Sequence, residues 1–252
     1  MVRFMRITFS DARVWRYVMA GVGKFIESGL AILNSDGFIF KAIDPSRVSL
    51  IEMFTPRESF DTFEVENELE AVINVDELGK ILRSSERDDK ISLEFGENSL
   101  RIEFERKNTT REFLIPLQVG SEAEAIPELK LELNNRFKVS GPLLYESISS
   151  IEDLGDVLII KAFEEGLSLM IKSDLGEAEV VFDSSRGALI EREVNEPDIE
   201  VSYGLEYFTY IKLAMRISEN VDLLLGSEMP CKLVFNLPQG VKMNYYVAPR
   251  IE

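Results

Sequence analysis

The side chains of this chain that can do chemistry are cations at helical spacing, and their chemistry is phosphate contact rather than bond making. Asp76, Lys80, Arg83 and Arg87 fall at i, i+4, i+7 and i+11, so they share one helical stripe opposite Leu78 and Leu82. Thr209, Lys212 and Arg216 form a second stripe of the same kind. Arg13 and Arg16 lie on the polar face of a third stretch, with Lys24 at its end; Val14, Tyr17, Val18, Val22 and Phe25 form its apolar face. These cations stand out against an acidic background: 28 Lys and Arg face 45 Asp and Glu in 252 residues, a net charge of −17. Such a balance repels nucleic acid from the surface at large, so any grip must come from a local basic face. No aromatic residue interleaves with the cations on the polar faces of the sequence pattern. Phosphate tracking without base stacking is the expectation.

Other chemistries are excluded one by one. There is no histidine, which removes Ser-His-Asp and Cys-His catalysis, His-ligated zinc and imidazole pH switching. The single cysteine, Cys231, sits in the apolar run CKLVF and reads as a buried, inert thiol of a reducing compartment. Gly21-Val22-Gly23-Lys24 imitates a phosphate loop, but Val18 stands where the first glycine belongs and Phe25 where Ser or Thr belongs. Glu64, Glu66, Glu68 and Glu70 alternate with Phe63, Val65 and Leu69, which predicts a solvated sheet face rather than a cation site. Asn108-Thr109-Thr110 is a glycosylation sequon without meaning in the cytosol. No apolar run reaches the ~20 residues of a membrane span, and the start has no signal-peptide core. The expectation is a soluble cytoplasmic protein with no catalytic constellation, no cofactor and no metal.

The elements that must carry the cations repeat. Gly37 and Gly166, 129 residues apart, each sit at a hairpin turn between apolar strands, and so do Gly96 and Gly226, 130 apart. A helix precedes each hairpin: Ser10 (as N-cap) to about Lys24, Val75 to about Ser85, Ser140 to about Leu154 and Leu205 to about Asn220. The third has Glu146 at its middle and no Lys or Arg. The remaining apolar runs (VSLIEMF, FEVENELEAVINV, REFLIPL, LKLELNNRFKV, EAEVVFD, IEVSY) read as strands. The polar, acidic stretch VGSEAEAIPEL reads as a linker. The fold class is α+β: two similar domains, 1–118 and 131–252, joined by a loop at 119–130, each an antiparallel sheet with two helices on one side.

Several motifs carry a resemblance. Ala42-Ile43-Asp44-Pro45-Ser46-Arg47-Val48-Ser49-Leu50, Ala125-Ile126-Pro127-Glu128, Ser202-Tyr203-Gly204-Leu205-Glu206-Tyr207 and Tyr245-Tyr246-Val247-Ala248-Pro249-Arg250-Ile251 stand in order along the chain. The sequence resembles the archaeal and eukaryotic sliding clamps, the proliferating cell nuclear antigen family, over its whole length, with a spelling closer to the archaeal members.

The resemblance implies a closed trimeric ring with helices lining a channel and sheets outside, threaded by double-stranded DNA without sequence preference. Arg13, Arg16, Lys24, Lys80, Arg83, Arg87, Lys212 and Arg216 are then the channel cations. Glu146 and the cation-free third helix depart from the family's pattern. The family's clients insert a short motif into an apolar pocket; matching positions are Ile43, Arg47, Val48, Leu50, Ile126, Pro127, Pro230, Tyr246, Val247, Ala248 and Pro249, with Glu124 where the family more often has an apolar residue. Ring closure in the family pairs two sheet edges; here these carry Lys107, Thr109, Arg111 and Phe113 on one side and Glu177, Glu179, Val181 and Asp183 on the other. The implied function is a DNA sliding clamp, not an enzyme. It would tether DNA polymerase, flap endonuclease and DNA ligase, be loaded by a clamp loader, and assemble with itself or with related clamp subunits. A specialised subunit of a heterotrimeric clamp is the alternative. A carboxylate- or metal-dependent hydrolase using Asp44 or a Glu cluster is a remote one.

Overall fold

The computed structural model describes residues 5–86, 88–119, 126, 129–174 and 176–250. Arg87, Pro127 and the linker positions 120–125 lie outside the described residues. The chain forms two units, one gathering Met1–Pro45, Ile51–Pro127 and Gln239–Lys242, the other Ser46–Leu50, Glu128–Pro238 and Met243–Glu252.

The first unit runs β1 (Met5–Phe9), α1 (Ala12–Val22), β2 (Ser28–Asn34), β3 (Gly37–Ile43), β4 (Ser49–Pro56), β5 (Thr62–Glu64), β6 (Leu69–Asn74), α2 (Val75–Leu82), β7 (Lys90–Phe95), β8 (Ser99–Arg106) and β9 (Thr109–Val119). Its strands lie in the order β4-β3-β2-β6-β9-β8-β7-β1-β5. Alternation sets their faces: in β8, Leu100, Ile102 and Phe104 are buried while Arg101 and Glu105 face out. The core centres on Trp15 of α1, whose ring lies 4.9 Å from Phe38 and 6.2 Å from Phe9.

The second unit runs β10 (Asn135–Ser140), α3 (Gly141–Ile151), β11 (Val157–Phe163), β12 (Gly166–Ser173), β13 (Gly176–Asp183), β14 (Leu189–Val194), β15 (Ile199–Gly204), α4 (Leu205–Tyr210), α5 (Lys212–Ile217), β16 (Asn220–Leu225), β17 (Cys231–Asn236) and β18 (Lys242–Val247). Its strands lie in the orders β14-β10-β16-β17-β18 and β13-β12-β11-β15. Tyr203 packs edge-on against Phe208 at 5.9 Å, and its hydroxyl donates to the Met229 carbonyl at 3.0 Å. Cys231 is fully buried in β17, and burial pushes its thiol up, away from the reactive thiolate.

The repeat has a steric basis. The turns are Ser35-Asp36 and Glu164-Glu165, and Gly37 and Gly166 open the strands that follow them. A Cβ at Gly37 would come within 2.2 Å of the Thr55 carbonyl oxygen, and one at Gly166 within 1.9 Å of that of Phe182. In both units the next strand's backbone passes where a side chain would stand, so glycine is required there twice.

Several helix limits differ from the sequence pattern. Asp11, not Ser10, caps α1: its carboxylate accepts the Arg13 N–H at 3.0 Å. Helix α2, capped by Asn74 through the Glu77 N–H at 2.9 Å, ends at Leu82; Ser84 and Ser85 then close tighter turns onto the carbonyls of Ile81 and Leu82. The fourth helix is two helices broken at Ile211. A continuous helix would offer the Tyr207 carbonyl to the Ile211 N–H; here that carbonyl accepts the Tyr245 hydroxyl at 3.1 Å, and Ile211 N–H turns to Thr209 instead. Thr209 therefore sits on α4, off the helix that carries Lys212 and Arg216. The single strand read across Phe63–Val75 is β5 and β6 with a break at 65–68, which puts Glu66 and Glu68 outside any strand; all four alternating glutamates are exposed. β10 starts only at Asn135.

Candidate nucleic-acid interface and docking sites

In the first unit the cations of α1 and α2 lie away from the buried leucines of α2 and from the buried face of α1, which includes Trp15 where the spacing placed Tyr17, but three of the four are already engaged. Asp11 takes Arg13 through two parallel bonds, Nε to Oδ1 at 2.9 Å and Nη2 to Oδ2 at 2.7 Å. The Arg13 guanidinium holds the Asp11 carboxyl below its ordinary value, and Asp11 in turn raises Arg13. Arg16 donates to the Ser85 carbonyl at 2.6 Å, which fixes the side chain and leaves its charge uncancelled. Lys80 pairs with Asp76 one turn earlier at 2.5 Å; both are exposed, so a phosphate can displace this weak pair. Arg83 caps the end of α2, exposed and without an ion pair among the described residues. Lys24, beyond the end of α1, is exposed.

In the second unit α3 contributes no cation and Glu146 is exposed. Lys212 is bound to Glu152, the C-cap of α3. Arg216, in the last turn of α5, is exposed and has no carboxylate partner among the described residues. Its guanidinium rests 5.6 Å from the ring of Tyr145. The expectation that no aromatic stands among the cations is thus corrected: α3 supplies Tyr145, which the sequence placed on a different helix from the cations it touches.

The candidate docking residues divide by exposure. In the first unit Ile43 and Ile126 line a cavity of about 60 Å³ with Leu30, Ala42 and Val72. In the second, Arg47 is exposed with a left-handed φ of 56°, and the Val48 carbonyl accepts the Ala248 N–H at 2.7 Å, which ties this short segment to the C-terminal stretch. Val48, Pro230, Ala248 and Pro249 are half-buried. Leu50, Val247 and Tyr246 (6% exposed) belong to the core, so they can floor a pocket but offer no protruding anchor. Lys232 lies 5.2 Å from the Tyr246 ring.

β9, along most of its length, and β13 each leave an edge unpaired among the described residues. From Thr109 to Pro116, β9 pairs only with β8, and β6 takes only Leu117–Val119. β13 pairs only with β12 along its length. The charges there are not simply turned outward. Arg111 reaches inward to the Asp89 carboxylate, which has no exposed surface, and donates to the Ser84 carbonyl at 2.7 Å. Asp89 also accepts the Glu86 N–H at 2.6 Å. Phe113 packs edge-on against Phe104, 5.9 Å away, and Arg111 lies 5.3 Å from the Phe104 ring. Glu179 accepts the Ser168 hydroxyl at 2.6 Å, and Asp183 caps the Ser185 N–H at 2.6 Å, a bond that lowers its carboxyl. Lys107, Thr109 and Glu177 are exposed. The apolar groups presented at the edges are Leu114 (63% exposed) on β9 and Val181 (44%) on β13. Leu114 was not among the sequence candidates, although it shares the outward parity of Glu112 and Pro116 in REFLIPL.

Both halves match a known family. Residues 4–120 match the family model described as proliferating cell nuclear antigen, N-terminal domain, and residues 145–250 that of its C-terminal domain. DNA polymerase sliding clamp 3 of Sulfurisphaera tokodaii is 32% identical over 250 residues, covering 98% of this chain and 100% of the relative. DNA polymerase sliding clamp 1 of Pyrobaculum aerophilum is 31% identical over 247 residues, 98% of each. Among solved structures, a chain of the PCNA2-PCNA3 complex from Sulfolobus tokodaii superposes with a TM-score of 0.88 at 33% identity, covering 98% of this chain and 100% of that one.

Proposed function

The chain belongs to the proliferating cell nuclear antigen family, and from that premise we propose that it works as a DNA sliding clamp, a binding scaffold rather than a catalyst. The observation that carries this reading is that the family match spans both units in order, at full length in the sliding-clamp relatives. The helix cations are its phosphate contacts, with Arg83 and Arg216 the least compensated and Lys80 available by exchange. Contacts of this kind hold duplex DNA loosely and without sequence preference, which suits a subunit that slides. Arg47, Val48, Pro230, Ala248 and Pro249 in the second unit, and Ile43 and Ile126 in the first, are the docking positions for client peptides. DNA polymerase, flap endonuclease and ligase are the proposed clients, and an ATP-driven clamp loader the loading partner. The edges of β9 and β13 are the subunit interface. Leu114 and Val181 supply the apolar contact that an open sheet edge needs covered.

The test is polymerase stimulation on a primed circular template. Lys80→Glu combined with Arg83→Glu should reduce clamp-dependent synthesis at least tenfold while leaving the solution mass of the assembly unchanged; full stimulation by this variant would refute the channel assignment.

A second reading, a specialised subunit of a heteromeric ring, is favoured by one contact. Arg111 is committed to Asp89 inside its own unit, so β9 offers less positive charge to the acidic β13 of an identical copy. Light scattering separates the two: about 86 kDa, three times the 28.7 kDa chain, means a self-sufficient trimer, and a folded species of the single-chain mass means that other subunits complete the ring.

A further inference from the structure

On the second unit's helix face, Arg216 is held by an aromatic ring rather than by a carboxylate among the described residues. Tyr145 of α3 is half-buried, and both cations of α5 approach its ring, Arg216 at 5.6 Å and Lys212 at 6.0 Å. Lys212 is also bound to Glu152, so its charge is cancelled. Arg216 has the ring and no carboxylate among the described residues. A carboxylate would hold a guanidinium as firmly, but it would compete with phosphate for the same donors. An aromatic face restrains the side chain and leaves the charge and its N–H donors open. A restrained arginine also loses less rotamer freedom when a phosphate arrives.

We propose that Tyr145 is a positioning residue that pre-orders Arg216 as the second unit's contact for a backbone phosphate of duplex DNA. The proposal rests on the sliding-clamp reading of the helix face and deepens it. The cation-free α3 takes part in the grip by ordering a cation on its neighbour.

The experiment is anisotropy titration of a short labelled duplex with the assembled protein, alone if it forms a ring and with its partner subunits otherwise, at about 50 to 200 mM salt. Arg216→Ala removes one phosphate contact, so the slope of log K against log salt falls by about 0.9 per chain. Tyr145→Ala keeps every charge: the slope stays as in the wild type, and affinity drops about 2- to 5-fold per chain at every salt concentration. Tyr145→Phe keeps the ring and binds as the wild type does. If Tyr145→Ala does not fold, Tyr145→Leu keeps the bulk without the π face and should bind as weakly. A normal Arg216→Ala effect with wild-type binding by Tyr145→Ala or Tyr145→Leu sinks the proposal alone, and so does Tyr145→Phe binding as weakly as Tyr145→Ala. Wild-type affinity and slope in Arg216→Ala sink the phosphate contact itself, and the proposal with it.

Discussion

In the first unit four cations stand on α1 and α2 or cap them, and two of these are matched by carboxylates: Arg13 by Asp11 and Lys80 by Asp76. In the second unit the face has two, one matched by Glu152 and one resting on Tyr145. The two faces are built by related halves of one chain, yet they reach a usable positive charge by different routes. The first has surplus cations and spends some of them on internal bonds. The second has few and keeps one open by replacing an anionic partner with an aromatic ring. Counting Lys and Arg on a helix therefore measures the charge present, whereas the partners decide how much of it a phosphate can meet.

The largest expected effect lies outside the helices. After α2, Ser85 is held by Arg16, Ser84 and Asp89 by Arg111, and Glu86 by Arg106. Arg111→Ala would leave a fully buried carboxylate without its cation, at a cost of about 3 kcal/mol. Hydrogen exchange should show lost protection at the end of α2 and the start of β7, with α3 and α5 unchanged; equal loss in both units would mean that the faces are not independently supported. A smaller effect sharpens the contrast from the other side. Glu152→Gln frees Lys212, so the salt slope of duplex binding should steepen by about 0.9 per chain and affinity at low salt should rise; an unchanged slope would mean that Lys212 does not face the duplex. The smallest effect belongs to Asp11. Its folded value lies below the ordinary carboxyl value, so its contribution is fully present above that ordinary value and lost as pH falls through the folded one. Asp11→Ala should cost about 1 kcal/mol near neutrality, and the gap from the wild type should close below about pH 4 in acid melts. A gap that persists in acid would mean that the carboxylate is not what holds Arg13 and the cap.

Much of this is legible in the sequence. The heptad-like spacing in 75–83 placed Lys80 and Arg83 opposite Leu78 and Leu82, because helical geometry is local. The Gly37–Gly166 offset marks the repeat because the same backbone clash is built twice. What escaped was non-local. Nothing in the spacing of Asp89 announces that Arg111, across two strands, will be its partner. Tyr145 and Arg216 stand 71 residues apart on helices that meet only in the folded unit. The break at Ile211 coincides with a hydroxyl from β18 on the Tyr207 carbonyl, a long-range contact that a periodic apolar pattern does not register. Leu50 and Tyr246 read equally well as anchors or as core residues from sequence, and the packing puts them in the core, because exposure is decided by what packs over a residue.

The burial of Cys231 has an experimental consequence. With that thiol sealed in β17 and resistant to ionisation, the native chain offers no competing site for maleimide chemistry under folding conditions. A single new thiol at an exposed edge, such as Leu114→Cys or Val181→Cys, would take a fluorophore stoichiometrically without first deleting the native cysteine. Quenching or energy transfer between two such dyes would then follow edge closure and opening in real time, one molecule at a time.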